Sequence, residues 1–265
     1  MTNRIVTLFI CFFTVLFSQA GCPPVGLDKS TERKPLKIMS YNVRNCKRLD
    51  NIVDYKRVSD IINRVNADIV ALQELDSATE RSHKIVVLQE LAKQTKMIPT
   101  FRASISYQGG KYGIGILTKE KPLKTEEIPL PGKEEKRSLL LVELEHYVIC
   151  CTHWSLTRED RIASVELINK IAGKYSKPVF LAGDLNAEPG SAEIKNLEQD
   201  WQIMNDSKQP TIPANDPKKC IDFILAKKDL KYEFKRIKSV VENEPVASDH
   251  LPVWVEIRII KSVPK

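Results

Sequence analysis

Eight side chains able to hold a cation or move a proton stand at or beside the ends of apolar, strand-like runs. They are Asn42, Glu74, His153, Asp184, Asn186, Asp222, Asp249 and His250. Carboxylates and carboxamides are oxygen donors for hard cations, and imidazoles transfer protons near neutral pH. Turn chemistry alone accounts for any one of them: Asp184 could open a turn and Asn42 could cap one. Asp222 is different. It lies inside the apolar run CIDFIL (residues 220–225), where a carboxylate needs a partner. His250 is a candidate for that partner, and a charge-complementary pair in the core would satisfy Asp222 equally well.

The elements carrying these residues are legible from hydropathy. Residues 36–43 predict a strand that delivers Asn42. Val58, Ile61, Ile62 and Val65 recur at i, i+3, i+4 and i+7, one face of an amphipathic helix. Residues 67–75 predict a strand closing on Glu74, and residues 83–97 a second helix built on Ile85, Leu88 and Leu91. Strands are expected at 113–118 and 139–145, around a Pro- and Glu/Lys-rich loop, and at 146–154, ending at His153. A third helix follows on Ile162, Val165, Ile168 and Ala172, with Thr157 and Asp160 placed as a capping pair and Gly173 near its end. Residues 178–186 predict a buried strand delivering Asp184 and Asn186. After a loop with Pro210, Pro213 and Pro217, strands are expected at 220–228 and 250–260. Many strands, few helices and no regular βαβ alternation over the second half argue for a layered α/β sandwich rather than a doubly wound sheet.

The chain has 265 residues, 42% of them hydrophobic and 28% charged, the balance of a globular protein with a sizeable core. Its net charge of +7 suits a phosphate-bearing partner without demanding nucleic acid. Residues 5–17 form an apolar run after a short basic start, too short to span a bilayer comfortably and suited to a secretory signal. Small residues then lead into Cys22, so residues 1–21 read as a signal peptide of bacterial lipoprotein type. Residues 22–35, Pro-rich and polar, read as a tether, and 36–260 as the folded domain. Cleavage after Ala20 is the alternative. The expected location is therefore outside the cytoplasm, membrane-anchored through a lipid on Cys22 or simply secreted. Cys46, Cys150, Cys151 and Cys220 show no CxxC spacing and are expected as buried free thiols, with Cys150 and Cys151 on opposite faces of one strand.

Seven segments carry a resemblance: SYNVR (40–44), ALQE (71–74), YGIGILTK (112–119), CTHW (151–154), AGDLN (182–186), IDFIL (221–225) and SDHLPV (248–253). In this order the chain resembles the endonuclease/exonuclease/phosphatase superfamily, to which deoxyribonuclease I belongs, over roughly residues 36–259. The resemblance implies a four-layered α/β sandwich of two packed mixed β-sheets flanked by helices. It also implies a Mg²⁺-dependent hydrolase, with Mn²⁺ as a substitute, acting on phosphate esters by in-line attack of an activated water. Glu74, Asn42 and Asp249 are the implied metal ligands. Asp184 would orient the water, and Asn186 would bond to phosphate or water. Asp222 would hold His250, and His153 would donate to a non-bridging oxygen. Either Asp184 or His250 could take the proton. Arg44 and Arg137 are candidate phosphate contacts, and Tyr107 and Tyr112 are candidates for a tyrosine that some nucleases point at the phosphate.

Three functions compete at this level. The first is a phosphodiesterase acting on nucleic acid. The second is the same chemistry on a phospholipid headgroup or a small phosphate ester. The third is a non-catalytic surface module, disfavoured because each residue the chemistry needs is in place. Residues 215–238 hold eight Lys/Arg against four Asp/Glu, which reads better as a solvated surface than as a polyanion groove.

The N-terminal segment yields a direct test. Cys22→Ser should release the protein from membrane fractions or leave it unprocessed. Mass spectrometry finding an unmodified mature terminus at Gly21 would instead establish plain secretion.

Overall fold

A computed structural model describes residues 34–262. The expected signal peptide, Cys22 and nearly all of the expected tether lie outside the described residues. Twelve strands and four helices follow one another. In chain order they are β1 (Leu36–Asn42), α1 (Tyr55–Val65), β2 (Ile69–Ser77), α2 (Val87–Thr95), β3 (Ile98–Tyr107), β4 (Gly110–Thr118), β5 (Lys124–Leu130) and β6 (Arg137–Glu143). β7 (Val148–His153), α3 (Arg158–Ala172), β8 (Val179–Asp184), α4 (Ala192–Asp200), β9 (Trp201–Ile203), β10 (Asp222–Lys227), β11 (Tyr232–Val241) and β12 (Val253–Lys261) complete the chain.

The strands form two six-stranded sheets, ordered β11-β12-β1-β2-β4-β3 and β5-β6-β7-β8-β10-β9. Both are mixed. β1 and β2 run parallel in the first, β7 and β8 in the second, and the remaining neighbours are antiparallel. Alternation along each strand divides its side chains between two cores. Ile38 on β1 joins Cys151, Phe180, Ala182 and Val255 between the sheets. Met39 and Tyr41 face outward onto Val58, Ile61 and Ile62 of α1 and Leu88 and Leu91 of α2. On the far side Cys150 and Leu181 pack against Val165 and Ile168 of α3 and Ile194 and Leu197 of α4. The result is the expected sandwich: helices, sheet, sheet, helices. Cys150 and Cys151 point to opposite faces, and the four described cysteines are buried free thiols.

Local signals set the helix boundaries. Asp54 accepts a hydrogen bond from the Arg57 N–H at the start of α1, and Asn66 turns left-handed at its end. Ser191 caps α4 by accepting from the Ile194 N–H. Thr157 stands at the N-cap of α3 but does not cap it. Its hydroxyl goes to Glu134 Oε2 (3.2 Å). Asp160 accepts from the Lys133 N–H (2.8 Å) and the Ser155 hydroxyl (3.1 Å). The expected capping pair is thus a loop clamp.

Other differences fall mostly on edge strands. The stretch read as a loop before residue 139 contains β5, the second helix begins at Val87 rather than 83, and β3, α4, β9 and β11 had no clear signal. β3, β5, β9 and β11 are edge strands, and few of their residues are fully buried. Half-exposed strands lack the apolar runs that announce a buried one.

Gly183 marks the tightest approach beside the site. A Cβ there would come within 2.1 Å of the Thr152 carbonyl oxygen on β7. Gly183→Ala should therefore destabilise the protein by about 1–3 kcal/mol, read as a fall of roughly 2–12 °C in Tm by calorimetry. An unchanged Tm would show that β7 and β8 can separate without cost.

Candidate active site

The two parallel pairs end at the same edge of the sandwich. β1 closes on Asn42, β7 on His153 and β8 on Asp184. Registry then aligns the second sheet, with His153 opposite Asp184 and Asp222 opposite Asp184 on its other side. Three residues far apart in sequence thereby stand abreast on β7, β8 and β10. In the first sheet, the register of β2 against β4 shifts between Leu72 and Leu75, and Glu74 takes a left-handed backbone (φ 60°). This bulge re-aims the Glu74 carboxylate toward Asn42 instead of leaving it in strand alternation.

Asp184 Oδ2 is the point of convergence. It accepts from Asn42 Nδ2 at 3.1 Å, and His153 Nε2 and His250 Nε2 lie 3.4 and 3.6 Å away. Asp184 Oδ1 accepts the Asn186 N–H at 2.9 Å. Asn42 Nδ2 also donates to Glu74 Oε1 (2.9 Å), which links the carboxylates of the two sheets. Asp222 Oδ2 meets His250 Nδ1 at 2.9 Å and accepts the Thr211 hydroxyl at 2.5 Å, while Asp222 Oδ1 is buried without a hydrogen-bond partner. His250 thus bridges Asp222 and Asp184 through its two ring nitrogens.

The electrostatics follow from this geometry. Burial lowers the affinity of His250 for a proton, but Asp222, Asp184 and Asp249 outweigh it and hold the ring up at about 10. His153 is pushed the other way, to about 4. Burial dominates, and the charges of Arg137 and His250 oppose the help it receives from Asp184. Glu74 is raised by burial and by the negative charges of Asp249 and Asp184, with the Asn42 hydrogen bond opposing. A buried carboxylate with further carboxylates beside it is short of positive charge, and the oxygen donors of Glu74, Asp184, Asp249 and Asn42 are of the type a hard divalent cation takes. Donor atoms of Asp184, Asp222 and His250 also lie within 4.8 Å of one another, close enough to hold a metal ion. In that trio both His250 ring nitrogens already face carboxylates and Asp222 Oδ2 is twice engaged, so a cation there would compete with these partners.

The remaining sequence candidates are engaged otherwise. Asn186, left-handed at φ 46°, donates its side-chain amide to the Trp154 carbonyl (2.9 Å) and ties the β8 loop to the β7 loop. Arg44 Nε lies 3.7 Å from Asp249 Oδ2. Arg137 is buried, with Nη1 3.0 Å from Glu135 and Nη2 3.5 Å from Glu134. Glu134 accepts from the Leu156 N–H and the Ser155 hydroxyl, both at 2.8 Å, and so pins the loop after His153. Tyr107 and Tyr112 line a cavity that adjoins Glu74. Sequence reasoning missed Thr211 and Ser248. Ser248 donates to the Asn42 carbonyl at 2.7 Å and accepts the His250 N–H at 3.3 Å. Its place in SDHLPV was a usable signal, whereas Thr211, in the Pro-rich loop, had none.

A model of the Endonuclease/Exonuclease/phosphatase family matches residues 39–250. No curated protein matches the chain in sequence. Among solved structures it is similar to an endonuclease/exonuclease/phosphatase from Beutenbergia cavernae (21% identity, 86% of this chain and 72% of that one, TM-score 0.69). It is also similar to a mannosyl-6-phosphatase from Bacteroides thetaiotaomicron (15%, 84% and 99%, 0.66) and to humanized D. rerio TDP2 (20%, 84% and 99%, 0.68). At these identities the likeness is one of fold.

The two histidines should titrate in opposite senses. In the metal-free protein, NMR of the imidazole resonances should find His250 still protonated at about pH 8 and His153 still neutral at about pH 5.5, given values near 10 and 4. The raised His250 value contributes stability below about pH 6.5 that is lost as pH rises through 10; the lowered His153 value contributes stability above 6.5 that is lost as pH falls through 4. Asp222→Asn should lower the His250 midpoint by about 1–3 pH units. An unmoved midpoint would remove Asp222 as the cause.

Proposed function

The chain belongs to the endonuclease/exonuclease/phosphatase family, whose members are metal-dependent hydrolases of phosphate esters, and from that premise we propose that it is a Mg²⁺-dependent phosphodiesterase of nuclease type. The observation that carries this reading is the meeting of Asn42, His153 and His250 on one carboxylate oxygen of Asp184, where the two sheets join. Glu74, Asn42 and Asp249 would hold the Mg²⁺, or Mn²⁺ in its place, and the bound cation would offset the charge of the phosphate.

The chain's own residues do the rest. Asp184 orients the attacking water in line with the leaving oxygen and takes its proton. His250 is unsuited to that step because its two ring nitrogens already face the carboxylates of Asp222 and Asp184. As an imidazolium it offers positive charge to the phosphoryl oxygens, and Asp222 fixes which nitrogen faces them. His153, neutral in its buried pocket, donates a hydrogen bond to a non-bridging oxygen as negative charge develops there. Asn186 and Glu134 hold the two loops around this constellation. Cleavage of a small phosphate ester is the second reading, supported by the small size, about 150 Å³, of the cavity beside Glu74. Export, proposed from the sequence of residues 1–22 alone, would put either substrate outside the cytoplasm.

Turnover of plasmid DNA, RNA, sphingomyelin and inositol phosphates with Mg²⁺ and with chelator tests the reading. Glu74→Gln should weaken Mg²⁺ dependence and turnover without unfolding the protein. His250→Ala should cut kcat by on the order of 10²-fold, Asp222→Asn substantially, and the double variant little more than the poorer single. Additive losses, or near wild-type kcat for His250→Ala, would remove the pair from the mechanism.

A further inference from the structure

Strand register also fixes what gathers at the pole of the sandwich opposite the carboxylate cluster. In the first sheet the start of β1 lies beside the start of β2 and the end of β12, and Ile69 on β2 pairs with Thr118, the last residue of β4. In the second, the starts of β7 and β8 lie beside the ends of β6 and β10. The Tyr147 hydroxyl, 3.4 Å from Glu120 Oε1, ties loops of the two sheets together here. Residues 119–123, 144–147, 173–178 and 228–231 connect strands and helices at this pole, and the described chain begins here at Lys34.

The charge of these connections is one-sided. Residues 119–124, 144–147, 173–178 and 227–231 hold eight lysines against Glu120, Glu145 and Asp229. Lys119 and Lys124 are paired, with Asp68 at 3.2 Å and Glu126 at 2.5 Å, and Lys228 Nζ donates to the Glu198 carbonyl at 2.7 Å. Lys121 and Lys231 are exposed and form no ion pair among the described residues. Positive charge is therefore left over for an external anion.

Two leucines stand out among the lysines. Leu230 is 98% exposed and Leu123 59%. They lie in stretches of the same make-up, KEKPLK (119–124) and KKDLK (227–231). The first joins β4 to β5 and the second β10 to β11, so each crosses from one sheet to the other. β4 and β11 stand four strand positions apart in the first sheet, roughly 19 Å at the usual strand spacing, with β1 midway. A single exposed leucine is ordinary. Two basic tips that flank the start of the folded chain, each with an uncovered aliphatic side chain, make an amphipathic face.

We propose that this pole docks on an anionic phospholipid bilayer, with Leu123 and Leu230 entering the headgroup layer and the lysines facing lipid phosphates. Charge complementarity and the path of the chain favour this occupant. The sequence before Lys34, with its apolar run at residues 5–17, joins the domain at this pole. A nucleic acid would match the lysines but not the leucines. β1 runs from this pole to Asn42 over seven residues, roughly 23 Å, so docking turns the carboxylate cluster away from the bilayer and toward the aqueous phase. The proposal is independent of the phosphoesterase reading, since no residue of that site enters it.

All buried residues of the three cores lie between Leu36 and Ile257, so protein starting at residue 23 keeps every core and carries neither the apolar run nor Cys22. In sedimentation this protein should bind vesicles of phosphatidylcholine and phosphatidylglycerol in equal parts, and not vesicles of phosphatidylcholine alone. Added salt should weaken the binding. Lys121→Glu with Lys231→Glu should cut it by on the order of 10-fold or more, and Leu123→Ser with Leu230→Ser by on the order of 10-fold, both at unchanged Tm. The described cysteines are buried, so an environment-sensitive dye can be attached selectively at Leu230→Cys or, beside the carboxylate cluster, at Leu156→Cys. With anionic vesicles its emission should shift to the blue at residue 230 and stay unchanged at residue 156. No preference for anionic vesicles, or a blue shift at residue 156 in place of 230, would overturn the proposal. Tighter binding to duplex DNA than to vesicles, untouched by the leucine changes, would overturn it too and make the pole a polyanion surface.

Discussion

Two carboxylates, Asp184 and Asp222, are buried directly opposite each other on adjacent strands. Like charges so placed repel, and an unpaired buried charge costs several kcal/mol. The surroundings of this edge of the molecule answer that problem. His250 brings a shared positive charge between the two, Thr211 donates to Asp222, and Asn42 and the Asn186 N–H donate to Asp184. Asp222 Oδ1 nevertheless has no partner. The arrangement is therefore poised, with donors converging on a few oxygens and net negative charge left toward Glu74.

Topology delivers these groups without long loops. Each sheet contains one parallel pair joined by a helix, β1-α1-β2 and β7-α3-β8, and the ends of β1, β7 and β8 supply Asn42, His153 and Asp184. Packing the sheets face to face over Ile38, Ala71, Cys151 and Ala182 brings those ends within hydrogen-bond distance. Small residues at Ala71 and Ala182 let the layers approach. Side chains on rigid strands hold their geometry better than side chains on loops. The loops that do contribute are tied down, by Asn186 to the Trp154 carbonyl and by Glu134 to residues 155–157.

The same economy extends to the aromatic cavity. The β2 bulge that turns Glu74 toward Asn42 is followed by Asp76, which anchors Arg81 against Tyr107 and Tyr112. One irregular strand segment thus serves the carboxylate cluster and the neighbouring wall together.

By itself the sequence determined the inner strands and the order of the site residues. Buried strands such as β7, β8 and β10 announce themselves as continuous apolar runs, and a carboxylate inside one, as at Asp222, declares that a partner exists. It did not determine the edges. β3, β5 and β11 are half exposed and lack the continuous apolar runs that mark the inner strands. Nor did it determine which partners meet. Asn42 and Asp184 are 142 residues apart, and Thr211 reaches Asp222 from a loop with no periodicity. Periodicity records which face of an element is buried, whereas the identity of what lies across from that face is fixed only when the two sheets pack.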